Sequence, residues 1–267
     1  MGEVGLIDRV LERGALSARF QPVVDLGTVA GAWHYVECLI RGPQGTTLES
    51  PDVLFDYARR KNREADLDRA CLATILEAVP KLPAGARLGI NVHASTIAEG
   101  TFAEFLDRSV SDAGVAADGL VIEVVEHLRP WDTAAFQKSL HELRTLGVRI
   151  AVDDVGLGES NLLMILSCRP DYLKIDRYFV HGARADFHRQ AVLTSIAQLA
   201  LPFGARVIAE GVETEADLQA VRTIGVDLVQ GYLFGEPCSA DGLGRPGRSE
   251  DEVESHWRPA GPRGGHA

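Results

Sequence analysis

The feature that most constrains this chain is a repeated alternation between short β-branched runs and longer amphipathic stretches. Apolar residues spaced every three or four positions predict helices, and the β-branched runs between them predict strands of a parallel sheet. The predicted strands span residues 18–24, 33–40, 87–92, 120–125, 149–152, 172–175, 206–209 and 227–229. Eight strands alternating with helices predict a closed (β/α)8 barrel, and 267 residues suffice for one such domain.

Several of the predicted helices carry their own start and stop signals. Gly147 and Gly225 follow the last apolar turn of a helix, and Thr214 with Asp217 forms an N-terminal capping pair. The predicted helices span residues 64–79, 102–113, 133–146, 188–201 and 215–224. Residues 1–15 predict a lead-in helix and 16–238 the barrel, whereas the Gly-, Pro-, Arg- and Glu-rich residues 239–267 predict a disordered tail.

Composition excludes some classes of partner and compartment. The net charge of -11, from 38 acidic and 27 basic residues, disfavours binding to a nucleic-acid polymer or an anionic membrane. The chain has no apolar run of the roughly 18 residues that a membrane span needs, so we expect a soluble protein. Its four cysteines form no Cys-x-x-Cys pair, which favours a reducing cytoplasm and argues against a thiolate metal site.

Polar residues cluster at the ends of the predicted strands. In a barrel such residues meet at one rim, and they comprise Asn91, Glu123, Asp153, Asp154, Glu210 and Gln230. Carboxylates brought together repel by roughly 1 kcal/mol per pair at 4 Å in water, so they need a cation among them. Oxygen ligands select Mg²⁺ or Mn²⁺. One strand-end acid alone is more often a capping residue, but six polar groups together favour a metal site.

Lys174 ends the predicted sixth strand and faces the same rim. An isolated lysine beside acids is most simply a structural ion-pair partner. Beside a metal cluster, a lysine can also position an attacking water and stabilise charge that grows on a phosphoryl group. We favour the second role for Lys174.

Short motifs along the chain resemble those of the EAL domain family, bacterial phosphodiesterases that hydrolyse the second messenger cyclic di-GMP. The motifs are FQPVV from Phe20, ECLIR from Glu37, NVH from Asn91, EVVE from Glu123, DDVG from Asp153, KID from Lys174, AEGVET from Ala209 and QGY from Gln230. Each string is weak evidence alone, but together in this order they are specific. The chain departs from the family pattern at Cys38, His93, Val125 and Val155, where alanine, serine, threonine and phenylalanine are usual. His93 is more typical of a packing or hydrogen-bonding neighbour than of a metal ligand.

The resemblance implies a TIM-like barrel with two Mg²⁺ or Mn²⁺ ions, which Ca²⁺ would replace with loss of turnover. It implies that one ion is held by Glu37, Asn91, Glu123 and Asp153, and the other by Asp153, Asp154 and Glu210. The two ions would share the attacking water. Lys174 and Glu210 would be the catalytic residues, with Lys174 contacting that water and Glu210 as a candidate base.

The same resemblance implies a set of supporting residues and a partner chain. The substrate, cyclic di-GMP, would be contacted by Gln21, Leu39, Arg41, Asp176 and Gln230, while Glu126 and Glu213 would support the surrounding loops. Gln21 has the alternative of being an ordinary polar residue at the barrel mouth, and Glu126 that of a solvated surface acid. A homodimer is expected by analogy with the family.

The loop after the predicted fifth strand departs most from the family. Val155, Leu157, Glu159 and Asn161 replace the Phe, the small residue or Thr, the Tyr and the Ser that active members usually carry. Two hypotheses therefore stay open: a cyclic di-GMP phosphodiesterase, or a catalytically silent barrel that acts as a receptor or protein-interaction module. Retention of every acid and of Lys174 favours the enzyme.

Overall fold

The strands close into one barrel. The computed structural model describes residues 5–28, 33–125, 132–157, 161–226 and 228–243. Strands β1 to β8 span Ser17–Asp25, Trp33–Arg41, Leu88–His93, Leu120–Val125, Arg149–Val155, Tyr172–Ile175, Arg206–Ala209 and Leu228–Val229. They pair in sequence order around a closed barrel, which confirms the predicted fold class.

One strand runs against the others. β1 is antiparallel to both of its neighbours, β2 and β8, whereas the remaining neighbours pair in parallel. The prediction of a parallel sheet was therefore wrong for β1. The physical reason is the short connection: only residues 26–32 lie between β1 and β2, and a parallel crossover needs about a dozen residues or more.

Helices surround the barrel. Within the described ranges, α1 to α10 span Leu6–Val10, Pro51–Arg60, Glu64–Ala78, Ala94–Ile97, Phe102–Asp112, Thr133–Thr145, Asn161–Cys168, Arg177–Val180, Phe187–Ala200 and Glu215–Ile224. The five helices predicted between strands are all present, with ends within about two residues. Four helices were not among the predicted ones: α2, α7, and the single turns α4 and α8, which are too short to show a helical period. Among the described residues no helix has the length and apolarity that crossing a membrane requires.

Apolar side chains form two layers, one outside and one inside the barrel. The outer and larger layer packs the strands against the helices. The inner layer is a separate plug that fills the barrel, formed by Val23, Tyr35, Val121, Ala151, Tyr172, Ile208 and Leu228. Successive side chains of a strand point to opposite faces, so the next inward position lies two residues further along each strand. The plug is therefore the floor on which the next inward side chains lie.

A buried carboxylate fixes the end of β3. Asp68 of α3 accepts hydrogen bonds from the His93 backbone nitrogen at 3.1 Å, from His93 Nδ1 at 2.9 Å and from Thr96 Oγ1 at 2.5 Å. His93 is thus a hydrogen-bonding neighbour, as the sequence analysis favoured. These bonds hold the strand end that carries Asn91.

Described residues on either side of the barrel segment pack onto the barrel. Ile7 and Val10 of α1 are buried, within the segment predicted as a lead-in helix. Cys238 pairs with Phe20 of β1 through two backbone hydrogen bonds, and Ala240 is buried in a short 3-10 turn. The ordered fold therefore extends a few residues past the predicted boundary at 238. Residues 244–267 of the predicted tail lie outside the described residues.

Candidate metal and catalytic site

Strand alternation places one polar side chain from each strand directly above the plug. On β2 and on β4 to β8, the residue two positions after a plug residue is polar. On β1, which runs in the opposite direction, the polar residue lies two positions before the plug residue. On β3 the position level with the plug is a glycine, Gly89, and the residue two positions after it is again polar. The eight residues of this polar layer are Gln21, Glu37, Asn91, Glu123, Asp153, Lys174, Glu210 and Gln230. All of them belong to the predicted site.

Lys174 lies at the centre of this layer. Its Nζ atom is 2.5 Å from Glu123 Oε2, 2.8 Å from Glu210 Oε1, 3.2 Å from Asp153 Oδ1 and 3.3 Å from Glu37 Oε2. Lys174 is 1% exposed and Glu123 is 0% exposed, so the centre of this group is removed from water, whereas Asp153 and Glu210 are partly exposed. If all four carboxylates are ionised, three of the negative charges are uncompensated by Lys174.

The buried excess of acids shifts the pKa values. Burial, with the nearby charge of Glu37, raises the pKa of Glu123 to about 8 despite the attraction of Lys174. Burial likewise raises the pKa values of Asp153 and Glu210. Burial also opposes ionisation of Glu37, but Lys174 and hydrogen bonds from Gln230 and Asn91 lower its pKa. Without a metal, the layer reduces its charge by keeping protons on some acids.

A β-bulge turns two consecutive acids toward the same place. The register of β5 against β6 shifts between Val152 and Val155, and Asp154 has a left-handed φ of 51°. In a regular strand Asp153 and Asp154 would point to opposite faces, but here one oxygen from each lies within 4.8 Å of a Glu210 oxygen. Burial and the charge of Asp153 raise the pKa of Asp154 to about 6.

Two groups of carboxylates can therefore hold cations. One consists of Glu37, Glu123 and Asp153, and the other of Asp153, Asp154 and Glu210, with Asp153 shared. Glu37, Glu123 and Asp153 were predicted as ligands of one ion. Asp153, Asp154 and Glu210 were predicted as ligands of the other. Asn91 donates its amide nitrogen to Glu37 Oε1 at 2.9 Å, which places it beside the first group.

Amide side chains complete one side of the layer. Gln230 Nε2 donates to Glu37 Oε2 at 2.7 Å and to Gln21 Oε1 at 3.1 Å, and Gln21 Nε2 donates to the Gly235 carbonyl at 3.0 Å. Two buried oxygens, Glu123 Oε1 and Gln230 Oε1, have no hydrogen-bond partner among the described residues. Buried oxygens in this state are suited to a ligand or ion that supplies the missing partner.

Four further predicted residues, Leu39, Arg41, Asp176 and Glu213, lie at or beyond the carboxyl ends of their strands. Leu39 and Arg41 are half-buried on the inward side of β2, and Arg41 Nη1 donates to the Ile40 carbonyl at 2.9 Å. Asp176 caps α8 by accepting from the Tyr178 backbone nitrogen at 2.7 Å. Glu213 is exposed, 3.6 Å from His181 Nε2. Glu126 lies outside the described residues.

The unusual loop begins immediately after the acids. Val155 is buried and Leu157 is exposed, and they are separated by Gly156 with a φ of 108°. A Cβ atom at Gly156 would lie 2.4 Å from Phe179 Cε2, so glycine is required there for packing as well as for backbone conformation. Glu159 and the side chain of Asn161 lie outside the described residues.

Tyr35, one inward step below Glu37 on β2, was not among the predicted site residues. The strand period of two was a signal that could have identified it. Its neighbour on another strand, Gly89, could not be placed beside it from the sequence alone.

Comparison with known proteins identifies relatives for nearly the whole barrel. The EAL domain family model matches residues 6–237. The chain is 30% identical over 234 residues to the cyclic di-GMP phosphodiesterase NbdA of Pseudomonas aeruginosa, covering 86% of this chain and 30% of NbdA. A Mycobacterium tuberculosis protein, Rv1354c, is also 30% identical, over 88% of this chain and 38% of its own length. The chain therefore spans about a third of the length of these relatives.

Solved structures of EAL proteins superimpose on this chain. Klebsiella pneumoniae BlrP1, in a calcium and cyclic di-GMP complex, superimposes with a TM-score of 0.74 and 29% identity, over 84% of this chain and 56% of BlrP1. BlrP1 is also known as a manganese and cyclic di-GMP complex. An EAL domain protein of Listeria monocytogenes superimposes with a TM-score of 0.77 and 25% identity, over 92% of this chain and 98% of that protein.

The raised pKa of Glu123 predicts that the metal-free protein loses stability as the pH rises from about 5 to 8. In this range folded Glu123 keeps a proton that the unfolded chain, with a pKa near 4.5, has released. The folded state therefore binds more protons, and the free energy of unfolding falls with pH, by up to about 1.4 kcal/mol per pH unit for one proton.

Urea unfolding in EDTA at a series of pH values measures this slope. Glu123→Gln should make it shallower, whereas Glu104→Gln, at an exposed position of α5, should leave it unchanged. An identical slope in wild type and Glu123→Gln would contradict the assignment of a buried, protonated Glu123.

Proposed function

The chain belongs to the EAL domain family, and we propose that it catalyses the metal-dependent hydrolysis of cyclic di-GMP to linear pGpG. The observation that carries this proposal is the polar layer, in which Lys174 faces four carboxylates that, together with Asp154, form two oxygen-ligand groups. Homologous proteins, including NbdA, are named cyclic di-GMP phosphodiesterases.

The residues present suit two Mg²⁺ or Mn²⁺ ions. The excess of negative charge, the unpaired Glu123 Oε1 and a donor set made only of oxygens all fit hard divalent cations. In our proposal Glu37, Asn91, Glu123 and Asp153 hold one ion, and Asp153, Asp154 and Glu210 hold the second. When bound, such ions polarise a phosphate oxygen and lower the pKa of water. Ca²⁺ would occupy the same oxygens while supporting poor turnover.

The chain's own residues then have separate tasks. Lys174 Nζ orients the attacking water and stabilises negative charge on the phosphoryl group as it develops. Glu210, 18% exposed on the open side of the layer, accepts the water proton. The water oxygen bonds to phosphorus, the bond from phosphorus to the ribose 3′ oxygen breaks, and that oxygen takes a proton from solvent. The single product, linear pGpG, carries one 5′ phosphate and one free 3′ hydroxyl.

Residues at the rim bind the substrate in this proposal. Arg41 offers a planar guanidinium that suits a phosphate or a guanine edge. Around Arg41, the substrate would be contacted by Gln21, Leu39, Asp176 and Gln230. The loops beside this substrate site would be supported by Glu213 and Glu126.

The activity test compares wild type with Lys174→Met, which removes the charge but keeps most of the volume. With Mg²⁺ or Mn²⁺, wild type should convert cyclic di-GMP to pGpG, as followed by liquid chromatography. Lys174→Met should lower kcat about 100-fold or more, with a smaller effect on KM, because the lysine acts mainly in the transition state.

Lys138→Met, at an exposed position of α6, serves as the matched control and should keep the wild-type kcat. Normal turnover by folded Lys174→Met would show that Lys174 is only a structural ion-pair partner. Wild type that binds cyclic di-GMP in Ca²⁺ yet produces no pGpG in Mg²⁺ or Mn²⁺ would support the silent-receptor hypothesis instead.

We also propose that the chain forms a homodimer through α7 and its surroundings. Leu162, Leu163 and Leu166 of α7 are 71%, 60% and 62% exposed, and Leu157 and Tyr178 nearby in the chain are also exposed. Contiguous exposed apolar side chains of this size are typical of a protein interface. α7 follows the loop after β5, the strand that carries Asp153 and Asp154, so a partner there would be connected to the site.

Sedimentation velocity tests the proposed interface. Wild type should sediment as a dimer at micromolar concentrations, and Leu163→Glu should sediment as a monomer because it places a charge in an apolar contact. Leu201→Glu, at an equally exposed leucine after α9, should stay dimeric. A monomeric wild type, or dissociation by both variants, would contradict this interface.

A further inference from the structure

Tyr35 is buried in the plug directly below the polar layer. Its side chain is 1% exposed, and its ring packs against that of Tyr172 with 5.9 Å between centroids. Its phenolic hydroxyl can donate a hydrogen bond.

Two polar atoms at this level lack hydrogen-bond partners among the described residues. Tyr35 Oη and Glu123 Oε1 are both buried, and neither has a hydrogen-bond partner among the described residues. The other Glu123 oxygen, Oε2, already accepts from Lys174 Nζ at 2.5 Å. A buried donor and a buried acceptor that lack partners are each unfavourable, and pairing them removes both costs.

Gly89 of β3 allows these two side chains to approach. A Cβ atom there would lie 2.4 Å from Glu123 Oε1 and 2.5 Å from Tyr35 Cε2, so both side chains occupy the volume of a missing side chain. The same position thus brings the phenol ring of β2 next to the carboxylate of β4. No other residue type at position 89 would leave this space open.

We propose that Tyr35 is a positioning residue for the metal site: its hydroxyl donates to Glu123 Oε1 and fixes the carboxylate for ion binding. The inference rests on the proposed function, because it assigns Glu123 as a ligand. Hydrogen bonds to a ligand orient it and raise its affinity for the ion. Tyr35 touches neither substrate nor ion in this role.

The test measures Mn²⁺ affinity by isothermal titration calorimetry in Tyr35→Phe and in a matched control, Tyr172→Phe. Tyr172 belongs to the same plug, but its hydroxyl is 2.9 Å from His34 Nε2 and not beside an acid of the polar layer. Tyr35→Phe should weaken Mn²⁺ binding about 10- to 100-fold, the usual effect of removing a hydrogen bond to a ligand. Tyr172→Phe should bind Mn²⁺ as wild type does.

Melting temperatures give a second readout that a purely structural role would not produce. In EDTA, Tyr35→Phe should melt slightly below wild type, because it removes the hydrogen bond to Glu123 Oε1. In Mn²⁺ the difference should be larger, since the ion stabilises the native state less when it binds more weakly. A purely structural role would give the same difference in melting temperature with and without the ion.

Wild-type Mn²⁺ affinity in Tyr35→Phe, or equal losses in both tyrosine variants, would overturn the inference. If wild type binds Mn²⁺ but forms no pGpG, the proposed function fails while the affinity comparison still decides the role of Tyr35. If wild type binds no Mn²⁺, the role of Tyr35 is rejected together with the metal site.

Discussion

A single buried lysine facing four carboxylates is the interaction on which the rest of this site depends. Lys174 compensates one negative charge, and burial of Glu37 and Glu123 limits how far water can compensate the others. Such a layer has two ways to become neutral: it can hold protons, as the raised pKa of Glu123 indicates, or it can bind cations. The second way creates a site for phosphate chemistry, since the ions that neutralise the acids also attract a phosphodiester.

The barrel converts this electrostatic requirement into a geometry. The apolar plug fills the lower half of the interior, so the polar layer has a rigid floor and opens only toward the rim. Each strand contributes one side chain, which lets residues distant in sequence meet within hydrogen-bond distance. The bulge at Asp154 adds a further acid from β5, and its left-handed backbone is a local cost that the surrounding fold sustains.

Much of this could be predicted from sequence because it depends on local period. Strands such as Leu120–Val125 and Tyr172–Ile175 were predicted with their observed limits, and all eight members of the polar layer were among the predicted site residues. The direction of β1 was missed because strand direction depends on the length of the connection to β2. The bulge and the Tyr35 and Gly89 pair were missed because they arise from contacts between strands, which no period within one strand encodes.

Anomalous diffraction at the manganese absorption edge, from crystals grown in Mn²⁺, tests directly whether cations bind among the acids of the polar layer. Two bound ions should give two anomalous peaks in the polar layer, one beside Glu37, Glu123 and Asp153 and one beside Asp153, Asp154 and Glu210. Crystals that show no peak in the polar layer, or peaks only at exposed acids on the surface, would contradict the claim that this layer exists to bind metal.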